Sequence, residues 1–380
     1  MDTSLTDEQR LIQDTVREFA EREVAPRAKQ LDAESMWPAA LIDGLAKLGL
    51  MGMTVPEAWG GSGVDHISYA IAVEEISRAC ASLGVIMSVN NSLACAPLAA
   101  HGTDAQKEKY LKPLASGEKL GCFGLTEPAS GSDASHMETV AHKDGDGWVI
   151  SGSKNWITNG PHADVIIVFA ATDRQAGPRG ITAFVVSTDA KGFGRETPDS
   201  KLGIHAAHSC TVFFDQCRIP TTHQLGEEGE GFKIAMATLD GGRIGIAAQA
   251  LGIARAAFEK ARDYAKERKA FGEPIANKQA IQFMLADMAT EIEAARLLVQ
   301  RAAWLKDQGQ RHTSEAAVAK LFASEMATRV SHKALQIHGG YGYSTDYDVE
   351  RHYRDARITE IYEGTSEIMR IVIAARALRE

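Results

Sequence analysis

The sequence predicts an α+β fold in three parts, with helices at both ends of the chain and β-strands in the middle. Apolar residues recur at helical spacing in residues 1–121 and again in residues 229–380. Between them, residues 122–228 contain short β-branched and aromatic runs separated by Gly, Asp and Pro clusters. We therefore predict an N-terminal helical domain (1–121), a middle antiparallel β-sheet or small β-barrel (122–228) and a C-terminal four-helix bundle (229–380).

Composition limits the classes of function. The chain has 380 residues, 44% hydrophobic and 24% charged, as expected for a globular protein with a large core. The net charge of −9 gives no general attraction to nucleic acid or to anionic lipid, so an anionic ligand needs a local basic site. Five cysteines without a Cys-x-x-Cys pair indicate reduced thiols. Because no leader pattern and no bilayer-spanning apolar run are seen, we expect a cytoplasmic protein without membrane insertion.

Capping and proline signals divide the N-terminal part into helices. Thr6 with Gln9 forms a capping box, and Pro26 is expected to stop this first helix. Trp37-Pro38 opens a second helix that ends near Gly49. Further helices are expected at 66–82, 85–101 and 104–116, the last begun by Thr103 or Asp104. The Gly-rich residues 56–63 lack the spacing of a nucleotide-binding loop and are interpreted as a turn.

Strand and turn signals follow in the middle part. The runs 165–169, 181–186 and 211–214 are typical of strands, and Asp144-Gly145-Asp146-Gly147 predicts a hairpin turn.

Four helical stripes follow in the C-terminal part. One helix is expected to begin at Asp240 as N-cap and to end at Gly272 and Pro274, with two more at about 281–305 and 316–330. The fourth begins near Thr365 or Ser366.

The turn before this last helix is the first candidate for chemistry. Glu363 would hold a carboxylate beside the free N–H groups of a helix N-terminus, and Gly364 permits a close approach or a positive φ. On these residues alone, an acid that favours the helix dipole is a better explanation than a catalytic base.

Five motifs, in order, resemble the acyl-CoA dehydrogenase family, and most closely its short-chain, butyryl-CoA dehydrogenase-like members. They are Gly-Leu-Thr-Glu-Pro-Ala-Ser-Gly-Ser-Asp (124–133), Lys-Asn-Trp-Ile-Thr-Asn-Gly (154–160), Glu-Arg-Lys-Ala-Phe-Gly (267–272), Gln-Ile-His-Gly-Gly-Tyr-Gly (336–342) and Ile-Tyr-Glu-Gly-Thr-Ser-Glu-Ile (361–368). The resemblance covers essentially the whole chain. It implies FAD as cofactor, an acyl-CoA substrate, a homotetramer built as a dimer of dimers, and an electron-transfer flavoprotein as partner.

The resemblance also implies the residues that bind the flavin. Phe123, Leu125 and Thr126 would line the isoalloxazine ring, and Ser132 would touch both cofactor and CoA ester. Trp156 would lie against the flavin ring and Thr158 near N5, with Ile157 between them also contacting the cofactor. Residues from a neighbouring subunit would reach the pyrophosphate and the adenosine half, with three more beside the catalytic turn: Arg268, Ala270, Lys278, Gln279, Gln336, Ile337, His338, Gly339 and Gly340, then Thr365, Ser366 and Glu367. A Thr hydroxyl and backbone N–H groups aimed at N1 and O2 would stabilise the negative charge of the reduced flavin.

For the substrate, the resemblance implies contacts from Asp240, Gly241, Gly242, Arg243 and Gly364. In some relatives the base lies at the position of Gly242, which has no carboxylate here, so Glu363 is the expected base. His205 and His208 lack a third ligand at metal spacing, and we expect no metal site.

The reaction implied is α,β-dehydrogenation of a short acyl-CoA, as in fatty acid β-oxidation, with Glu363 removing the α-proton and flavin N5 accepting the β-hydrogen. A branched, isobutyryl-like substrate and an acyl-CoA oxidase that passes electrons to oxygen stay open. A non-catalytic helical scaffold or binding protein is the alternative from another class, because fold does not prove activity.

Overall fold

The computed structural model describes residues 4–379, and residues 1–3 and 380, which belong to the predicted terminal domains, lie outside the described part. Helices fill the N-terminal part, and the predicted capping box Thr6/Gln9 is present. Thr103, one of the two predicted helix starts, forms a second capping box with Gln106. The helices are α1 (Asp7–Phe19), α2 (Ala25–Ala33), α3 (Ala39–Lys47), α4 (His66–Ala79), α5 (Ala81–Val89), α6 (Ala96–His101), α7 (Asp104–Gln106) and α8 (Lys112–Ala115).

Pro26 does not stop the first helix, which corrects the prediction. A π-helical segment, Ala20–Val24, joins α1 to α2, and Pro26 lies in the first turn of α2. The wider π-turn frees backbone groups where proline has no N–H to offer, so the helical path continues to Ala33.

The run Ala81–His101 is, by length and composition, apolar enough to cross a membrane, and it is the one such helix within residues 4–379. The expectation that no apolar run is long enough was therefore wrong. Its most apolar window is 83% buried inside the protein. A core helix of a globular protein can be as long and as apolar as a membrane-spanning helix. We assign this run to the core.

The middle part forms an eight-stranded sheet. The predicted hairpin is present, because Asp144 pairs with Gly147 across the two-residue loop Gly145-Asp146, with Gly145 at φ 60°. The strands are β1 (Gly121–Gly124), β2 (Val140–Asp144), β3 (Gly147–Thr158), β4 (Val165–Ala171), β5 (Ile181–Ser187), β6 (Phe193–Arg195), β7 (Ser209–Pro220) and β8 (Gln224–Leu225).

The sheet is mixed rather than purely antiparallel. Its order is β6-β7-β3-β2-β4-β5-β8, with β1 beside β4, and β1 and β2 both run parallel to β4. Strand pairing among the described residues does not close a barrel, since the end strands β6 and β8 are not neighbours. The predicted antiparallel barrel is therefore observed only as a mixed sheet.

The C-terminal part is helical, as predicted. It contains α9 (Gly231–Glu267), the short hairpin β9 (Lys269–Ala270) and β10 (Glu273–Pro274), α10 (Gln279–Asp307), α11 (Thr313–His338), α12 (Val349–Ile358) and α13 (Ser366–Ala377). The sequence did not predict α12. The helix α9 begins at Gly231, so Asp240 lies inside it and is not an N-cap, which corrects the prediction.

A continuous core joins the two helical parts. The largest cluster of buried apolar side chains includes Val73 and Ile76 of α4, Ala250 of α9, Val299 of α10 and Met326 of α11. All five cysteines are buried and free, as expected for reduced thiols: Cys80, Cys95, Cys122, Cys210 and Cys217. This packing places the N-terminal end of α13 and the interior of α9 side by side.

Candidate functional site

The turn before α13 holds two consecutive residues in the left-handed region. Glu363 has φ 52° and Gly364 has φ 101°. Thr365 then caps α13, because its hydroxyl accepts the N–H of Ile368 at 3.3 Å. The helix thus begins where the sequence predicts. A positive φ is uncommon for a glutamate and marks a backbone that the surrounding structure must hold in place.

The Glu363 carboxyl group lies against the backbone of α9. A Cβ placed on Gly242 would be 2.2 Å from Glu363 Oε2, so a side chain at position 242 would displace the carboxylate. Oε2 is buried and has no hydrogen-bond partner among residues 4–379. An unpaired buried carboxylate oxygen is costly unless a ligand completes the site.

Burial raises the pKa of Glu363 to about 7, and the positive charges of Lys320 and Arg243 partly oppose this rise. A carboxylate with this pKa accepts a proton far more readily near neutral pH than an exposed glutamate. The Glu363 N–H donates no hydrogen bond within residues 4–379, so it is available to a carbonyl oxygen. A carboxylate suited to accept a proton and a free N–H donor therefore belong to one residue.

Asp240 and Arg243 pair with each other beside this turn. Arg243 is buried, and its guanidinium donates to Asp240 Oδ1 at 2.7 Å, while the Thr313 hydroxyl donates to Asp240 Oδ2 at 2.6 Å. The neighbouring Gly241 packs under the Lys306 ammonium, which would be 2.5 Å from a Cβ there. The four expected substrate residues of α9, 240–243, thus lie beside the turn, but the charge of Arg243 is already balanced.

The expected flavin-side residues meet at the end of β1 and at a bulge in β3. Trp156 lies in that bulge at φ 60° and is 57% exposed, so its ring is not part of the core. Its N-terminal neighbour Asn155 donates its N–H to the Thr126 carbonyl at 2.8 Å, which ties the two segments together. An exposed, strained tryptophan beside a loop indicates a ligand surface.

Not every side chain in this group is available. Leu125 and Ile157 are 7% and 2% exposed and pack in the core, so only their backbone can reach a ligand. Phe123 is partly buried against the Phe169 ring at 5.0 Å. Ser132 is exposed on its loop and Thr158 is partly exposed.

A buried ion pair, which the sequence analysis missed, supports these segments. Lys154 Nζ lies 2.6 Å from Glu127 Oε1, and both side chains are almost fully enclosed. Lys154 also donates to the Leu125 carbonyl at 3.3 Å, and Glu127 accepts the Thr139 N–H at 3.0 Å. The sequence signal that could have predicted this pair is a lysine, Lys154, inside the strand β3.

A second group of expected residues lines an open cleft of about 570 Å³. His338 stacks on Tyr264 at 4.2 Å, and the Arg268 guanidinium lies 5.3 Å from the Tyr341 ring. The Nδ1–H of His338 donates to the Ala334 carbonyl, and burial lowers the pKa of this imidazole, which favours the neutral ring. The cleft is lined by Tyr264, Arg268, Ile275, Ile337, His338, Gly339, Gly340, Tyr341, Ser344 and Asp346.

The remaining residues expected to bind the cofactor lie on the β9–β10 hairpin and near the ends of α10, α11 and α13. Lys278 precedes α10 and pairs with Glu273 at 2.5 Å, while Gln279 is the first residue of α10 and Ala270 lies in β9. Gln336 lies in the last turn of α11. In α13, Ser366 is buried with an unpaired hydroxyl, and Glu367 is exposed.

The donor set fits a flavin adenine dinucleotide. A Cβ on Gly339 or Gly340 would meet no heavy atom within 4 Å, so the backbone is open to close approach by a ligand. Aromatic rings and the cation Arg268 suit a nucleotide with its pyrophosphate, and exposed Trp156 suits a planar ring. Within residues 4–379 no cluster of three His, Cys, Asp or Glu could hold a metal ion.

Comparison with known proteins adds to this geometry. Family models described as the N-terminal, middle and C-terminal domains of acyl-CoA dehydrogenase match residues 6–118, 122–217 and 229–378. The chain is 54% identical over 375 residues to a mitochondrial short-chain specific acyl-CoA dehydrogenase from Bos taurus, covering 99% of this chain and 91% of the relative. Butyryl-CoA dehydrogenase from Megasphaera elsdenii superposes with a TM-score of 0.98 at 48% identity, with 100% of both chains covered. A chain solved in the study "Electron transferring flavoprotein of Acidaminococcus fermentans: Towards a mechanism of flavin-based electron bifurcation" gives a TM-score of 0.99 at 49% identity, also with 100% of both chains covered.

Proposed function

The chain belongs to the acyl-CoA dehydrogenase family, and we propose that it converts short, straight-chain acyl-CoA thioesters of the butyryl type to trans-2-enoyl-CoA. Members of this family are FAD-dependent oxidoreductases. The proposal depends on two observations at Glu363. Its carboxylate oxygen Oε2 is buried without a partner against Gly242, and its backbone N–H is free.

Glu363 supplies two functions in this proposal. Its N–H donates to the thioester carbonyl, which stabilises the negative charge that develops when the α-proton leaves. Its carboxylate then takes the α-proton from the substrate. When bound, FAD supplies the acceptor for the hydride that leaves the β-carbon. Loss of one proton from the α-carbon and one hydride from the β-carbon leaves the C=C bond of the product.

Two polar side chains support a preference for short acyl chains. One helical turn beyond Gly242, a Cβ on Gly245 would lie 2.3 Å from Ser88 Oγ and 2.6 Å from the Tyr69 hydroxyl. These hydroxyls share a 2.8 Å hydrogen bond and cover this face of α9. An acyl tail directed along it would meet a closed wall.

We predict that butyryl-CoA is the best straight-chain substrate, with activity falling steeply by octanoyl-CoA. A methylene in an apolar slot contributes about 0.8 kcal/mol, while one forced against a closed end costs about 1–3 kcal/mol. The measurement is kcat/KM for butyryl-, isobutyryl-, hexanoyl- and octanoyl-CoA under the same conditions. An octanoyl optimum contradicts the short-chain proposal, and an isobutyryl optimum replaces the straight-chain substrate with a branched one.

We further propose that electrons leave to an electron-transfer flavoprotein and that the protein is a homotetramer, a dimer of dimers. The similarity to a chain from a study of such a flavoprotein supports the proposed electron acceptor. Phe283 of α10 and Phe271 of the hairpin are 61% and 96% exposed, and exposed aromatic side chains of this kind support association between subunits. Anaerobic bleaching of the yellow protein by butyryl-CoA, followed by slow reoxidation in air, is the expected result; fast reoxidation would indicate an oxidase.

Arg268→Ala should weaken FAD retention about 10- to 100-fold while changing folding little. A hydrogen bond to a charged group contributes about 1.5–3 kcal/mol. Among residues 4–379 the Arg268 guanidinium lies over the Tyr341 ring and forms no ion pair that would be lost. FAD release on dilution, followed by flavin fluorescence, measures the effect. Arg262→Ala is the matched control, because Arg262 lies in α9 six residues before Arg268 and pairs with its neighbour Asp263. A monomer that retains FAD normally at low concentration would contradict a cofactor site shared between subunits.

A further inference from the structure

Lys320 is a buried cation beside the catalytic turn that the proposed mechanism does not yet use. It lies on the apolar face of α11, four residues after Ala316 and three before Ala323, and its side chain has no exposed surface. Its ammonium carries three N–H donors. Within residues 4–379 its one hydrogen-bond acceptor is the Gly364 carbonyl, at 2.6 Å. A buried lysine without a contacting carboxylate calls for a functional explanation.

The acceptor belongs to the turn that presents Glu363. Glu363 and Gly364 both have positive φ, a conformation that persists only when surrounding contacts hold it. The Ser366 N–H donates to the Glu360 carbonyl at 2.9 Å, which holds the turn from within its own segment. Lys320 supplies the contact from a different helix. It therefore fixes the turn relative to the bundle.

The charge of Lys320 also acts on the carboxylate. The groups that face Glu363 are Lys320 from α11, Arg243 with Asp240 from α9, Tyr69 from α4 and the adjacent Tyr362. Asp240 contacts Arg243 and largely balances its charge, and the two tyrosines are neutral at neutral pH.

Lys320 itself faces three carboxylates, Glu363, Glu360 and Glu367, and the cation Arg243, but forms an ion pair with none of them. Burial lowers the pKa of Lys320 to about 8, so the ammonium is still charged at neutral pH. Of the two cations near Glu363, Lys320 is the one whose charge no contacting acid balances.

We propose that Lys320 is a positioning residue for proton abstraction, holding the Glu363–Gly364 turn through the Gly364 carbonyl and keeping Glu363 ionised at neutral pH by its charge. This inference rests on the proposed function, because it takes Glu363 as the base. A merely structural role for Lys320 would alter stability without moving the pH at which the base titrates.

The pH dependence of flavin reduction separates these roles. The base must be deprotonated, so the rate in the unmodified protein should rise with pH through a midpoint of about 7. In Lys320→Met the carboxylate loses a neighbouring positive charge, its pKa rises, and the midpoint should move up by about one pH unit. Below both midpoints the rate should then be about tenfold lower.

The experiment is anaerobic stopped-flow reduction of the FAD-loaded protein by butyryl-CoA across the neutral pH range. Lys320→Arg should keep the charge and hence restore the midpoint, even where its different shape lowers the limiting rate. Lys333→Met is the matched control on the same helix, because Lys333 is partly exposed and pairs with Asp287 and Glu291, away from the turn. It should leave the midpoint unchanged.

Three outcomes are decisive. An unchanged midpoint in Lys320→Met overturns the inference, and so does a midpoint in Lys320→Arg that moves as far as in Lys320→Met. If Lys320→Met does not retain FAD, the midpoint of Lys320→Gln, which also removes the charge but keeps a hydrogen-bond donor, takes its place. Normal flavin reduction by Glu363→Gln would instead overturn the proposed function, so the two failures are distinguishable.

Discussion

Glu363→Gln should reduce the rate of flavin reduction by butyryl-CoA by about 10²–10⁴-fold or more, which is the range that a general base contributes. The amide keeps the shape of the side chain but cannot accept a proton at neutral pH. Because Oε2 makes no hydrogen bond within residues 4–379, the substitution breaks no bond of that atom, and FAD should stay bound. Stopped-flow absorbance of the flavin measures the rate, and the spectrum of the resting protein measures FAD content.

The control for this prediction is Glu325→Gln. Glu325 lies on α11, is partly exposed, and pairs with Arg370 at 2.6 Å, so its replacement removes a carboxylate without changing Glu363. It should reduce flavin at the normal rate. Near-normal reduction by Glu363→Gln would remove this residue from its role.

Lys154→Met should cost about 3–5 kcal/mol of unfolding free energy, because it leaves Glu127 as a buried carboxylate without its cation. Glu127→Gln should cost a similar amount by leaving the ammonium unpaired. The double variant should lose much less than the sum, since replacing both charges removes the need for either. Urea unfolding of the three variants, followed by circular dichroism, gives the coupling.

The matched control is the exposed pair of Lys143 and Glu228, whose charged atoms are 2.7 Å apart. Lys143→Met should cost at most about 1 kcal/mol, because water screens exposed ion pairs. If Lys154→Met lowers the unfolding free energy no more than Lys143→Met does, burial of the Lys154–Glu127 pair contributes nothing to stability.

Local signals in the sequence were sufficient where the structure depends on near neighbours. The capping boxes at Thr6 and Thr103, the N-cap at Thr365 and the loop Gly145-Asp146 each use bonds between residues two or three positions apart. An N-cap side chain bonds to backbone N–H groups of its own helix turn, and the loop depends on its own glycine. The residue types alone therefore predict the cap or the turn in any fold. The alternation of helical and strand regions followed from periodicity for the same reason.

Long-range packing decided what the sequence analysis got wrong. Pro26 ends helices by its local chemistry, but a π-turn accommodates it here. Asp240 has the chemistry of an N-cap, yet α9 begins nine residues earlier. The glycines that follow Asp240 are tolerated inside that helix because the Glu363 carboxyl and the Lys306 ammonium pack on them. The parallel pairing of β1 with β4 joins segments about forty residues apart, which no local pattern specifies.

The candidate site divides in the same way. The sequence by itself determined that a glutamate, a glycine and a helix start lie together at 363–366, and the family resemblance assigned them chemistry. Only the tertiary structure decided that Gly242 is the surface against which the carboxylate lies and that Lys320 anchors the turn. Burial and the charges on α9 and α11 raise the pKa of Glu363 to about 7. The physical reason is that desolvation and Coulomb energy depend on distances in space, and the chain brings these residues together from positions more than forty and more than one hundred residues before the turn.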